Sequence, residues 1–221
     1  VEPRPGGQAS RERVRATFDH REPDRVPLDL GGSRMTGIHV RAYAGLREAL
    51  GLPQVEIRIG DITQQLAEVD TDVMDLLGCD VRAIGPNAAS GYRREMVEAG
   101  GYVTFRDEWG AVRRMPLDGG LYFDTFGAPL GGEVDRAAID AFPWPDATDP
   151  GRYLGLAESA RRIVDEEGRA VLVGSICGGL SEGLFKMRGF EDGYMDLAAE
   201  PERARQVMEK ILEIKLAYWD R

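Results

Sequence analysis

Lysine, histidine and cysteine are scarce in this sequence, and each scarcity removes a class of function. Only Lys186, Lys210 and Lys215 accompany the arginines among 28 basic residues, and 38 acidic residues leave a formal net charge of −10. With no basic run to offset it, that charge argues against non-specific nucleic-acid binding. The arginine bias suits carboxylate or phosphate ligands; GC-rich coding produces the same bias. The two cysteines, Cys79 and Cys177, lie far apart in apolar surroundings. They make neither a disulfide framework nor a metal-ligand spacing, so a reducing, cytoplasmic setting is expected. The two histidines, His20 and His39, complete no zinc spacing with them, and no metal is expected to bind this segment. No apolar run is long enough to span a bilayer, and VEPRPGGQAS lacks the apolar core of a signal peptide.

What is present is a chain of 221 residues, 43% apolar, long enough to bury a core as one domain or, less comfortably, two. Residues 1–9, rich in Pro and Gly, read as a flexible tail. Ser10 caps an expected helix, Arg11–His20, that buries Val14, Ala16 and Phe18. Val26–Leu30 reads as a strand with Pro27 near its start. A loop and a helix follow, ended by Gly51. Asp61–Asp70 and Thr71–Gly78 read as two helices, with Ile62, Leu66, Val69 and Val73 inward. Cys79–Pro86 is a second strand. Tyr102–Arg106 and Ala111–Met115 form a hairpin around Asp107–Gly110, with Leu121–Phe126 as a third strand beside it. Pro129–Thr148 reads as a loop, and Asp149 with Pro150 opens a helix running to Gly168. The helix Pro201–Trp219 carries Val207, Ile211 and Ile214 at helical spacing.

The organising stretch is Arg169–Glu202. Ala170–Val173 is an apolar run suited to a strand buried on both faces. It empties through Gly174, Ser175 and Gly178-Gly179 into a helical pattern carrying Leu180, Leu184, Phe185 and Met187. Ligands gather at the carboxyl ends of strands in parallel α/β sheets, which singles out Ser175 to Phe185; a tight glycine turn without chemistry is the other reading. Gly174, Gly178-Gly179, Gly189-Phe190-Glu191-Asp192 and Glu200-Pro201-Glu202 together resemble the third barrel strand of the uroporphyrinogen decarboxylase-like superfamily. Gly31-Gly32, Thr36-Gly37-Ile38 and Ala42-Tyr43 resemble its methyltransferase-like branch, where the decarboxylases carry an arginine-rich motif instead. The resemblance implies an α/β fold, a partial (β/α)8 barrel of about three βα units over residues 10–221. A small antiparallel insertion would occupy about residues 100–148. Three of eight strands, and a pattern that stops at Arg221, lead us to expect the amino-terminal part of a longer protein.

The family's decarboxylases place an aspartate at the end of the second strand; pairing Asp80 with the aspartate that begins it puts Asn87 at that catalytic position. Phe185 falls where those enzymes carry a tyrosine, and keeps the ring without the donor. Both departures, with the missing arginine motif, point away from porphyrinogen decarboxylation. They point toward methyl transfer from a corrinoid, small or protein-bound, to a thiol. Zinc would be held by strands outside this sequence. Asp29 and Asp80 read either as substrate contacts or as ion-pair partners of Arg25, Arg34 or Arg82. His39 reads as an acid–base group or a surface histidine. Ser33, Arg34 and Ser175 read as contacts to an anionic substrate or as ordinary loop polarity. Met187, Phe190, Tyr194 and Met195 read as core, as do Trp109 and Trp144. A non-catalytic partial barrel, self-associating through an open sheet edge, is the rival from another class.

Overall fold

The computed structural model describes residues 7–221. In chain order it contains α1 (Ser10–Phe18), α2 (Val40–Ala49), β1 (Ile59–Asp61), β2 (Leu66–Ala67), α3 (Thr71–Leu77) and β3 (Val81–Ile84). Strands β4 (Val97–Ala99), β5 (Tyr102–Arg106), β6 (Val112–Pro116) and β7 (Asp124–Gly127) follow, then α4 (Arg136–Ala141). Next come α5 (Leu156–Asp165), β8 (Ala170–Val173), α6 (Leu180–Arg188), α7 (Phe190–Ala199) and α8 (Pro201–Trp219). The α/β class holds, but the strands lie in three small sheets and close no barrel. Contacts divide the chain into two compact units, residues 7–85 with Gly155–Gly174, and Pro86–Leu154 with Ser175–Arg221. Of the expected tail, residues 1–6 lie outside the described residues. Gln8 is tied down, its backbone N–H donating to Asp24 Oδ2 at 3.0 Å.

In the first unit, β3 and β8 pair parallel and in register from Val81↔Ala170 to Ile84↔Val173. Helix α5 packs on both strands. Val26–Leu30 is not a strand. Its one ladder-like bond is Asp80 N–H to Leu28 O at 2.8 Å. Pro27 has no N–H, and the Leu28 N–H donates to the Asp80 carboxylate at 2.9 Å, not to a carbonyl. Strand β8 is also less enclosed than its composition suggests, with Val173 exposed. Asp61–Asp70 is a hairpin, β1–β2, and not a helix. Gln65 turns it at φ 55°, and the Ile38–Val40 segment adds Ala67 N–H to Ile38 O at 2.8 Å and Val40 N–H to Gln65 O at 2.9 Å. These non-local bonds outweigh a helical spacing of Ile62, Leu66 and Val69. The core of this unit is Tyr43, Ala67, Val69 and Val73. Helix α1 buries Ser10, Arg13 and Ala16, while Phe18, expected inward, is exposed.

In the second unit, β4–β7 form an antiparallel sheet in sequence order. Strand β4 was not expected; Gly100 and Gly101, at φ 58° and 81°, make the two-residue turn that joins it to β5. The third expected strand is shortened to β7. The loop expected over Pro129–Thr148 contains α4, whose Ile139 is fully buried. Asp149 caps only one 3-10 turn, Pro150–Tyr153, and α5 begins afresh after Gly155 at φ 77°. The core gathers Trp109, Leu184, Met187, Val207 and Ile211, with Trp109 and Trp144 edge to face at 6.5 Å. Helices α6 and α8 approach closely at Gly183, where a Cβ would stand 2.7 Å from Ile211 Cδ1. The stripe read as core is core only at Met187, because Phe190, Tyr194 and Met195 face outward.

Candidate functional site

Four sequence-derived candidates lie in one stretch of the first unit, and their hydrogen bonds show what each side chain has left to offer. Asp29 Oδ1 accepts the Gly32 N–H at 2.9 Å, and Oδ2 accepts the Thr36 hydroxyl at 2.9 Å. Ser33 Oγ accepts the N–H groups of Met35 at 3.1 Å and Thr36 at 3.3 Å, capping the 3-10 turn Arg34–Thr36. Asp29 and Ser33 are therefore brought together around Thr36, which sequence reasoning did not single out. Their work is local, closing a polar loop as short Asx and Ser turns do. Asp29 is not the ion-pair partner of Arg34, whose Nε reaches Asp61 Oδ2 at 2.5 Å. The rest of the Arg34 side chain is exposed, so its outer edge can still meet an anion. His39 is the N-cap of α2, with Nδ1 accepting the Arg41 N–H at 3.2 Å.

Asp80 takes the ion-pair reading, with partners that only partly match those expected. Its buried carboxylate receives Arg13 Nη1 at 2.5 Å and Arg25 Nη1 at 2.7 Å. Burial alone would raise its pKa, but the Leu28 N–H, Arg25, Ser10 and Arg13 together hold it below the usual range. Arg13 also grips Asp24 at 2.6 Å, which holds that carboxyl at about 2. Arg82 turns to Asp75 and Glu167 instead. Next to this cluster, burial raises the pKa of the Cys79 thiol, which keeps it protonated and a poor nucleophile.

The remaining candidates lie in the second unit, each in its own neighbourhood. The Asn87 Nδ2 donates to Gly151 O and Leu154 O, both at 3.1 Å, and its backbone N–H donates to Arg152 O at 3.0 Å. Its amide is thus a clamp on the 3-10 turn after Asp149. Beside it Arg152, fully buried, forms a two-pronged pair with Glu108, an ionic core that the sequence reading missed. Ser175 Oγ is buried without a hydrogen-bond partner among the described residues, the feature expected of a group that awaits one. Farther along, Gly179 N–H meets Glu182 Oε2 at 3.3 Å, so α6 caps its own first turn. The Phe185 ring stacks on Phe190 at 5.2 Å and tilts against Tyr194 at 4.6 Å.

No group of three or more His, Cys, Asp or Glu side chains among the described residues converges to hold a metal ion. A groove of the second unit, about 770 Å³, is open, and in its lining Arg205 is already paired with Glu202 and Glu209. No helix among the described residues is long and apolar enough to cross a membrane. The chain matches no protein-family model, no curated protein and no solved structure.

Proposed function

We propose that this chain is the amino-terminal part of a uroporphyrinogen decarboxylase-like (β/α)8 barrel, of the corrinoid–thiol methyltransferase-like branch. The observation that carries the reading is the parallel pair β3–β8. Strand β8 is apolar, β3 is apolar but for Arg82, and both empty into glycine, with a Cβ on Gly85 standing 3.9 Å from Gly174 Cα. The carboxyl ends of such strands are where parallel α/β folds bind substrates. Arg34 in the first unit is the proposed contact to an anionic substrate, a small molecule or a protein-bound corrinoid, and Ser175 in the second unit is a separate proposed polar contact. Asp29 and Ser33 hold the loop that carries Arg34. His39 is the proposed acid–base group and Asn87 a positioning residue. Phe185 offers an aromatic surface.

Zinc, which the resemblance attaches to this branch, does not fit the donors present here. Cys79 is buried and its thiol pKa is raised, and among the described residues no three His, Cys, Asp or Glu side chains converge. Decarboxylation of a porphyrinogen is disfavoured because Asn87 spends its amide on two carbonyls and Asp80 spends its carboxylate on two arginines. Neither leaves a carboxylate to steady a developing cation on a pyrrole.

Equilibrium dialysis against methylcobalamin, alongside chromatography of porphyrins after incubation with uroporphyrinogen, tests the proposal. The expected result is saturable methylcobalamin binding, weakened several-fold by Arg34→Ala and by Ser175→Ala, with no stepwise loss of substrate carboxylates. Decarboxylated products, or no methylcobalamin binding, overturn it. A second reading, a non-catalytic module that self-associates, is supported by β8 being paired on one side only. It expects a molar mass that rises with concentration in light scattering and no binding of either tetrapyrrole.

A further inference from the structure

Helix α7 is built with its polar side inward. Its buried residues are Gly193 and Asp196. Gly193 lies against Phe185, where a Cβ would stand 2.7 Å from Cδ1. Asp196 is locked between Arg188 Nε at 2.6 Å and Arg203 Nη1 at 2.9 Å. The side facing water carries Phe190, Tyr194 and Met195, exposed at 66%, 60% and 60%, and Leu197 at 44%. Phe190, Tyr194 and Leu197 follow the i, i+4, i+7 spacing of one helical stripe. Phe190 and Tyr194 lie 6.4 Å apart, and Phe185 backs both. Together the exposed parts amount to roughly 400 Å² of apolar surface, the size at which a patch on a soluble protein marks an interaction site. Aromatic residues and Met are also the types enriched at protein interfaces.

Charge decides what covers the patch. Helix α7 contains no Lys or Arg, and exposed Glu191 and Glu200 bracket the stripe at its two ends. A second copy laid antiparallel across a two-fold axis would set Glu191 of one chain near Glu200 of the other, so self-pairing is opposed. Anionic lipid and nucleic acid are opposed by the same carboxylates and by the net charge of −10. We propose that the outward face of α7 docks an amphipathic helix of another protein, with aliphatic anchors at helical spacing and Lys or Arg on its flanks. This goes beyond the proposed function and does not depend on it. The stripe supplies an apolar face for the anchors, and the two glutamates set orientation and speed the encounter.

The probe is a fluorescently labelled 14-residue peptide of Leu and Lys at helical spacing, with its Leu–Glu counterpart as control, titrated with the whole chain and followed by anisotropy. The Leu–Lys peptide should bind and the Leu–Glu peptide should not. The double substitution Phe190→Ser with Tyr194→Ser leaves the charge unchanged and should weaken the Leu–Lys complex about 30-fold or more, the scale of a lost interface anchor. Both side chains are exposed, so far-UV circular dichroism should not change. Glu191→Lys with Glu200→Lys should reverse the preference toward the Leu–Glu peptide. Binding that survives the serine substitutions would show general attraction to an acidic surface and overturn the proposal. So would a concentration-dependent dimer of the unmodified protein that those substitutions abolish, since the occupant would then be a second copy.

Discussion

Replacing Asp80 by asparagine tests whether one buried carboxylate organises the first unit. In the folded chain this group holds Arg13 at 2.5 Å, Arg25 at 2.7 Å and the Leu28 N–H at 2.9 Å. Asparagine keeps one acceptor but turns an NH2 group toward guanidinium donors. Removing one partner of a buried ion pair costs about 3–5 kcal/mol. Two features reduce that figure here: Arg13 keeps Asp24, and Arg25, 42% exposed, can turn to water. We therefore expect a loss of about 2–3 kcal/mol, or roughly 4–12 °C in melting temperature at about 2–4 °C per kcal/mol. Urea unfolding followed by circular dichroism measures the loss, and hydrogen exchange at Val81–Ile84 and Ala170–Val173 locates it. Because the folded pKa of Asp80 lies below its unfolded value, its contribution is complete above the unfolded pKa, near 4. It is lost as pH falls through the lower folded value. The gap between wild type and Asp80→Asn should therefore be constant near neutrality and shrink below about pH 4. A loss under about 1 kcal/mol, or a gap that does not close in acid, would refute the reasoning.

Three further outcomes follow from particular contacts. Asn87→Ala should destabilise by about 1–2 kcal/mol through two lost bonds, and Asn87→Asp by more, because a carboxylate would face two carbonyl oxygens; thermal melts of both variants rank them, and equal losses would remove the clamp argument. Gly183→Ala should destabilise despite alanine's better helix propensity, by about 1–3 kcal/mol, since its Cβ would sit 2.7 Å from Ile211 Cδ1; Ile211→Val in the same chain should recover part of the loss. In a Cys177→Ser background, Cys79 should resist Ellman's reagent at pH 8 until urea unfolds the chain, because burial both shields the thiol and raises its pKa; immediate labelling would show that the thiol is accessible.

Several elements were legible in the sequence because local interactions decide them. Helix α8 begins at Pro201 and carries its buried residues at helical spacing, so its limits could be read directly. Gly51 and Gly78 mark the ends of α2 and α3, both at positive φ. Strands β3 and β8 are short apolar runs between breakers, and their type needed no knowledge of their partner. The loop positions of Ser33, Arg34 and Ser175 were equally legible, whereas Asp29 was expected in a strand and lies in a loop. Their bonding was not legible, since Thr36, Asp61 and an empty hydrogen-bond position are visible only after folding.

Tertiary structure decided which face of α1 and of α7 turns inward, and it did so through charge. Helical spacing offers α1 two sides: Val14 and Phe18 on one, Ser10, Arg13 and Ala16 on the other. The second is buried because Arg13 answers both Asp80 and Asp24, and a buried carboxylate left unpaired costs more than one exposed phenylalanine. The same physics turns α7, where Asp196 goes inward to Arg188 and Arg203 and leaves the aromatic side in water. At β1–β2, strand bonds to Ile38 and Val40 overruled an equally good helical pattern, because they satisfy backbone groups of two segments at once. Periodicity written in a sequence fixes which residues share a face. Which face is covered depends on partners that the chain meets only on folding, such as Asp80, 67 positions away from Arg13.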